Sequence, residues 1–230
     1  MAIPNIVEVA FLIGDESRAC MLMCLLSGKA LPASELARAA RITPQTASSH
    51  LAKMVEGGLL VHEAHGRHRY YRLANAEVGH ALEALNAIAP LRPVRSLRDS
   101  DHSKALHFAR MCYDHIAGEL GVTLTNRMVE LGMVDEEDRD FVITIEGRQW
   151  FGKFGIDVGI LQRGRRHFAR QCLDWSERRY HMAGALGAAV TNRLFERGWI
   201  ERIPGGRAVS VTDIGFERLA REWGVTFVLT

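Results

Sequence analysis

One stretch of the chain occurs twice. Ala117-Gly-Glu-Leu-Gly-Val-Thr-Leu-Thr-Asn-Arg-Met128 is matched by Ala183-Gly-Ala-Leu-Gly-Ala-Ala-Val-Thr-Asn-Arg-Leu194 at a constant offset of 66. Gly132-Met-Val134 keeps the same offset to Gly198-Trp-Ile200, and Phe141 to Gly147 pairs loosely with Val209 to Gly215. Upstream, Cys112-Tyr-Asp-His115 stands to the first copy as Cys172-Leu-Asp-Trp175 stands to the second, with extra residues in the latter. Self-similarity of this kind means a duplicated unit. Each copy is expected to run from a Cys-x-Asp turn through helix and strand to a closing helix, Arg148 to Phe154 or Phe216 to Trp223, as a reduced winged-helix module. The pair should form one C-terminal domain with local two-fold pseudosymmetry.

That domain cannot account for the whole chain. At 230 residues the sequence is comfortable as two domains. Its 47% hydrophobic and 24% charged residues, with only 6 Pro and 21 Gly, exclude a disordered or fibrous chain. The longest apolar runs, Ile6 to Ile13 and Met21 to Leu26, fall far short of the roughly 20 residues a membrane span needs. No secretory signal opens the sequence, so a cytoplasmic protein is expected. Four scattered cysteines, Cys20, Cys24, Cys112 and Cys172, suit reduced thiols better than a disulfide framework. A net charge of +2 neither demands nor forbids a nucleic-acid partner, so the placement of the cations has to decide.

In the N-terminal third, Asn5 to Leu26 reads as one or two buried helices, with Asp15 or Ser17 as a cap between them. Ser34 to Ala40 reads as a short helix opened by a Ser cap, Arg41 to Thr43 as a tight connection, and Thr43-Pro44 as a cap followed by proline at the first helical position. The helix from Pro44 stops at Gly57-Gly58. Ala47, Leu51, Met54 and Val55 share one side of it, which leaves Gln45, Thr46, Ser48, Ser49 and Lys53 elsewhere. Small hydrogen-bonding side chains on a half-buried helix suit close approach to base edges in a major groove. Leu59 to Leu73 then reads as a two-stranded hairpin turning at His65-Gly66, with Arg67, Arg69 and Arg72 on its tip and second strand. Helix, turn, helix and basic hairpin in that order form a winged helix-turn-helix, with Arg67 and Arg69 placed for phosphates or a minor groove.

These segments resemble the ArsR-type (ArsR/SmtB-like) family of bacterial winged-helix regulators over roughly residues 5 to 90. The segments that carry the resemblance are Ser34 to Ala40, Thr43-Pro-Gln-Thr-Ala-Ser-Ser-His-Leu51, Gly58-Leu-Leu60 and Gly66-Arg-His-Arg-Tyr-Tyr71. The resemblance implies a homodimer on a pseudo-palindromic, double-stranded operator, paired through the first helix and the helix after the wing, about Ala76 to Ala89. The DNA-contacting set it suggests is Thr43, Gln45, Thr46, Ser48, Ser49, His50, Lys53, Arg67 and Arg69; Gln45 and His50 could equally cap or pack. The family's usual metal sites are missing: the first helix of the motif reads Glu35-Leu-Ala-Arg-Ala-Ala40, and Asn75 to Ala89 offers Glu77, His80 and Glu83 without a paired Asp-x-His.

Other cysteines remain as candidates. Cys20 and Cys24, four apart, could share a soft ion, but core packing is the simpler reading. Cys112, Asp114, His115, Cys172, Asp174 and His181 could be brought together by the pseudosymmetry to hold a zinc-like or softer metal ion. The plain alternative has each cysteine packing and each aspartate capping the next helix, and a redox pair is a third reading. The basic run Arg163 to Arg170 reads first as a solvated face; it could also extend a DNA footprint, bind an anionic effector or balance Asp135 to Asp140.

The expected architecture is therefore mainly α with small β-hairpins (α+β). It has a winged helix-turn-helix over 1–90, a linker over 91–104 and a duplicated domain over 105–230, with repeats about 105–160 and 165–230, that senses or dimerises. The expected function is a dimeric DNA-binding repressor released by a metal or small-molecule effector. No Ser/His/Asp set, phosphate-cradling Gly loop or His-Glu-x-x-His motif argues for an enzyme. A winged-helix scaffold without DNA affinity is the rival.

Overall fold

The computed structural model describes residues 3–66, 68–90 and 97–227. The chain divides into two compact units, Met1–Leu82 and Glu83–Thr230.

The N-terminal unit opens with α1 (Ile6–Ile13) and α2 (Glu16–Leu25). Asp15 separates them as the cap, its carboxylate accepting from the Arg18 amide at 2.9 Å. β1 (Leu31–Pro32) leads directly into α3 (Ala33–Ala40). The cap therefore lies two residues earlier than the sequence suggests: Pro32, held in the extended region and paired in the sheet, sits at the cap position, and Ser34 lies inside the first turn. Arg41 adopts a left-handed conformation (φ 56°) that turns the chain sharply into α4 (Pro44–Glu56). Thr43 caps α4 by accepting from the Thr46 amide at 3.2 Å, and Pro44 follows at the first helical position, as the sequence predicts. β2 (Leu60–His65) and β3 (His68–Leu73) form the wing, and β1 joins them to give a three-stranded antiparallel sheet in the order β1-β3-β2. Met21, Leu22, Leu25, Leu36, Leu51, Met54, Leu60 and Leu73 are essentially fully buried and form the core of this unit. The expectation of burial fails for α1: only Leu12 is buried, while Ile6, Val7 and Phe11 are more than 70% exposed.

The boundary between the units falls within α5 (Ala76–Ile88), which Asn75 caps through the Val78 amide. Pro90 lies just beyond its end, consistent with the helix-stopping effect of proline. The linker read over 91–104 is partly helical: residues 91–96 lie outside the described residues, and α6 (Leu97–Phe108) occupies the rest.

The C-terminal unit then runs β4 (Arg110–Cys112), β5 (His115–Ala117), α7 (Gly118–Glu130), β6 (Val134–Glu137), β7 (Asp140–Ile143) and α8 (Ile145–Phe154). After α9 (Val158–Arg163) the same order returns as β8 (Arg170–Leu173), β9 (Tyr180–Ala183), α10 (Gly184–Glu196), β10 (Ile200–Arg202), β11 (Val209–Val211) and α11 (Asp213–Trp223). Closing helices α8 and α11 are capped alike, by Thr144 on the Gly147 amide and by Thr212 on the Gly215 amide.

Neither half is self-contained. The β6–β7 hairpin of the first half continues into β8–β9 of the second as one four-stranded sheet, with Gln171 N–H on the Arg139 carbonyl at 2.9 Å and Phe141 N–H on that of Ala169 at 3.1 Å. The β10–β11 hairpin meets β4 in the same way, with Met111 N–H on the Arg207 carbonyl at 2.8 Å and Val209 N–H on that of Ala109 at 2.9 Å. A two-stranded hairpin is marginal alone, and here each is supported by backbone hydrogen bonds to the opposite half, β6–β7 and β8–β9 within one sheet and β4–β5 and β10–β11 through one bridge. Side chains repeat the exchange. Thr125 Oγ1 of α7 accepts from the Met182 amide of β9 (2.9 Å), and Thr191 Oγ1 of α10 accepts from the Ile116 amide of β5 (2.8 Å). Arg127 Nε donates to the carbonyl of Trp223 at the end of α11, and Arg193 Nε to that of Phe154 at the end of α8. The core between the halves is built by Leu120, Leu124 and Met128 with Leu186, Val190 and Leu194, closed by Phe151 and Trp223.

Candidate functional sites

Two places in the chain concentrate chemistry, one in each unit. In the N-terminal unit it is the outer face of α4. Ala47, Leu51 and Met54 are buried, and this fixes the roll of the helix about its axis. Thr43, Gln45, Thr46, Ser48, Ser49 and Lys53 are consequently exposed, as is Arg69 on the wing. The Thr43 and Thr46 hydroxyls lie 2.8 Å apart, so both are also engaged in the cap. His50 differs from its neighbours: it is half-buried, with Nδ1 3.3 Å from Arg18 Nη1 and Nε2 4.0 Å from Asp15, which turns it toward α2. Arg18 is itself locked to the carbonyls of Leu12 and Phe11. Arg67 lies outside the described residues.

In the C-terminal unit, four of the six sequence-selected residues converge. Cys112, His115, Cys172 and His181 place one ligand atom each within 4.8 Å of all the others. The strand register explains how. Cys112 faces His115 across the β4–β5 hairpin, and Cys172 faces His181 across β8–β9, so each hairpin supplies one thiol and one imidazole. The two sulfurs are 3.8 Å apart and the two Nε2 atoms 3.2 Å apart. Glycine permits this approach. A side chain at Gly121 would press on the Ile116 carbonyl and reach His181 Cβ, and one at Gly187 would press on the Met182 carbonyl and reach His115 Cβ.

Asp114 and Asp174 stand behind the imidazoles. His115 Nδ1 is 3.3 Å from Asp114 Oδ1, and His181 Nδ1 is 3.3 Å from Asp174 Oδ2. Asp174 also accepts from the Arg110 guanidinium (2.7 Å) and from the Gly118 amide (2.7 Å), so it reaches the first residue of α7 in the opposite half instead of a helix of its own. Asp114 is gripped by Arg166, one member of the basic run; Arg163, Arg165 and Arg170 are exposed. Burial pushes the Asp114 carboxyl up, but His115 and Arg166 outweigh it and bring it down to about 2. Asp174 is held far below the carboxylate range: burial opposes this, and His181 and Arg110 prevail. The neighbouring thiols split, Cys172 being pulled down by its contact with Cys112 and by His181, while Cys112 is pushed up by Cys172 and by burial. For His181, burial disfavours the charged ring, but Cys172 and Asp174 outweigh it and raise it to about 9. Arg110 and the Thr125/Thr191 pair escaped the sequence reading. The threonines carried a visible signal, since Thr-Asn-Arg recurs in both copies of the repeat.

The remaining cysteines are not part of this group. Cys20 and Cys24 are half-buried on α2, with the Cys20 thiol 3.4 Å from the Ala39 carbonyl. No helix among the described residues is long and apolar enough to cross a membrane.

Residues 13–63 match the model of a helix-turn-helix domain family. A relative from Bacillus subtilis, described as the uncharacterized HTH-type transcriptional regulator YdfF, is 49% identical over 212 residues, covering 92% of this chain and 94% of its own. Among solved structures, the chain is similar to the homodimeric winged helix-turn-helix DNA-binding domain of Mb0332 from Mycobacterium bovis, a possible ArsR-family regulator, at 22% identity over 38% of this chain and 89% of that one, with a TM-score of 0.34. It is also similar to the cadmium sensor CMTR of Mycobacterium tuberculosis, at 27% identity over 40% and 99%, with a TM-score of 0.31. With a relative matched along nearly the full length of both sequences and a helix-turn-helix at the expected place, this chain belongs to the HTH-type transcriptional regulators.

Proposed function

We propose that the chain is a cytoplasmic, ArsR-type repressor without enzymatic activity, which binds double-stranded operator DNA as a homodimer and leaves it when the C-terminal unit receives an effector, a metal ion or a small molecule. The observation that carries the reading is the two-sidedness of α4. Its apolar side is locked into the N-terminal core, and its exposed side carries Gln45, Thr46, Ser48, Ser49 and Lys53, with Glu56 at the helix end. Such a surface reaches base edges without steric bulk, and Arg69 on the wing adds a cation for phosphate. Dimerisation is supported by α1, whose Ile6, Val7 and Phe11 form an exposed apolar face in the single chain. The effector step obeys a simple constraint: only a ligand that prefers the non-binding arrangement releases DNA.

The test is binding of the purified protein to its own promoter region over a range of salt concentrations. Affinity should fall steeply as salt rises. Arg69→Ala, alone or with Arg67→Ala, should weaken binding to many sequences and flatten the salt slope, whereas Gln45→Ala or Ser49→Ala should change preference among sites. Absence of salt-dependent binding would favour an interaction scaffold instead.

A further inference from the structure

We propose that Cys112, His115, Cys172 and His181 form a closed, four-coordinate site for a single zinc-class ion, and that this ion cross-links the two halves of the C-terminal unit. The inference goes beyond the regulator reading and concerns this unit alone.

The dimensions fit. A tetrahedron with metal–sulfur bonds of about 2.3 Å and metal–nitrogen bonds of about 2.05 Å has a sulfur–sulfur edge of about 3.8 Å and a nitrogen–nitrogen edge of about 3.3 Å. The sulfur–sulfur and nitrogen–nitrogen distances are 3.8 Å and 3.2 Å, and all four ligand atoms lie within 4.8 Å of one another. The donor set selects the ion: two thiols and two imidazoles in this geometry suit zinc or its thiophilic analogues, and offer nothing to magnesium or calcium, which require oxygen.

The surroundings fit as well. Each ring has its Nδ1 3.3 Å from a carboxylate oxygen, hydrogen-bonded for His115 with Asp114 and close for His181 with Asp174, the placement that orients ligating histidines in metal sites. The two Nε2 atoms face each other across 3.2 Å inside the group formed with the two thiols. Three of the four ligands are buried and the fourth is half-buried, and all four positions come from protein, as in structural zinc sites. Because each hairpin gives one cysteine and one histidine, neither half can complete the site alone.

The experiment uses the full chain, purified untagged and without chelator. Elemental analysis should give about one zinc per chain. Protein stripped by chelator under reducing conditions should take up one Co2+ with the ligand-field bands of a tetrahedral centre and a thiolate-to-cobalt charge-transfer band, and Zn2+ should displace it and raise the melting temperature. Cys172→Ser should lose the charge-transfer intensity of one thiolate, while Cys20→Ser with Cys24→Ser should leave metal content unchanged. Should Cys172→Ser fail to fold, Asp114→Asn keeps all four ligands and should weaken zinc about 10- to 100-fold in chelator competition, the usual cost of losing a carboxylate behind a ligating histidine. Reduced wild-type protein that neither carries nor takes up zinc or cobalt would overturn the proposal. So would protein isolated two mass units light with a Cys112–Cys172 disulfide and no metal uptake after reduction, or an Asp114→Asn affinity equal to wild type. None of these readouts involves DNA, so failure here and failure of the operator-binding reading are distinguishable.

Discussion

Arg110 and Asp174 form an ion pair in which neither side chain is exposed to solvent, with Nη2 and Oδ1 2.7 Å apart. They lie in opposite halves of the C-terminal unit; Asp174 also accepts from the amides of Gly118, Ser176 and Glu177, and Arg110 donates through Nη1 to the Leu106 carbonyl and packs 4.3 Å over the Trp175 ring. Removing one partner strands a buried charge. Arg110→Ala should destabilise the fold by about 3–5 kcal/mol, read as a lowered urea midpoint; a change within error would mean that Asp174 finds compensation from the amides alone.

Thr191 gives a smaller effect by the same logic. Its hydroxyl accepts from the buried Ile116 amide, so Thr191→Val leaves that N–H without a partner at a cost of about 1–3 kcal/mol. Thr191→Ser retains the oxygen and should recover most of the loss in the same denaturation series.

Gly187 of α10 packs against its own β9 and against His115 of the opposite half. A methyl group there meets the Met182 carbonyl and lies 3.5 Å from His115 Cβ. Gly187→Ala should cost about 1–3 kcal/mol from overpacking, and heteronuclear NMR should show the His115 ring resonances displaced. Gly152→Ala, in open space, is the matched control, and equal behaviour of the two variants would contradict the packing described.

The exposed face of α1 predicts an oligomeric effect without a folding effect. Ile6→Glu combined with Phe11→Glu alters residues 78% and 71% exposed, so the monomer fold should be retained by circular dichroism. Sedimentation should shift from dimer to monomer. A dimer that survives both changes would remove α1 from the interface.

Much of the N-terminal unit was legible because its signals are local. Thr43-Pro44 fixes the start of α4, the spacing of Ala47, Leu51 and Met54 fixes its buried side, and Gly66 marks the wing turn; each acts within a few residues of itself. The departures arose where longer-range forces prevailed: pairing of β1 with β3 moved the start of α3 to Ala33, and α1 keeps an apolar face exposed among the described residues.

In the C-terminal unit the sequence by itself determined the repeat and the inventory, six residues of the right chemistry recurring in related places. Only the tertiary structure decided that Cys112, His115, Cys172 and His181 meet while Asp114 and Asp174 stand behind them, that β6–β7 and β8–β9 merge into one sheet, and that β4–β5 and β10–β11 touch through a single bridge. The reason is physical. Contacts between residues 60 or 66 positions apart, such as Cys112 with Cys172 and His115 with His181, depend on strand register and on glycines that allow backbones to touch, and no local propensity encodes which of two identical-looking halves will supply the partner.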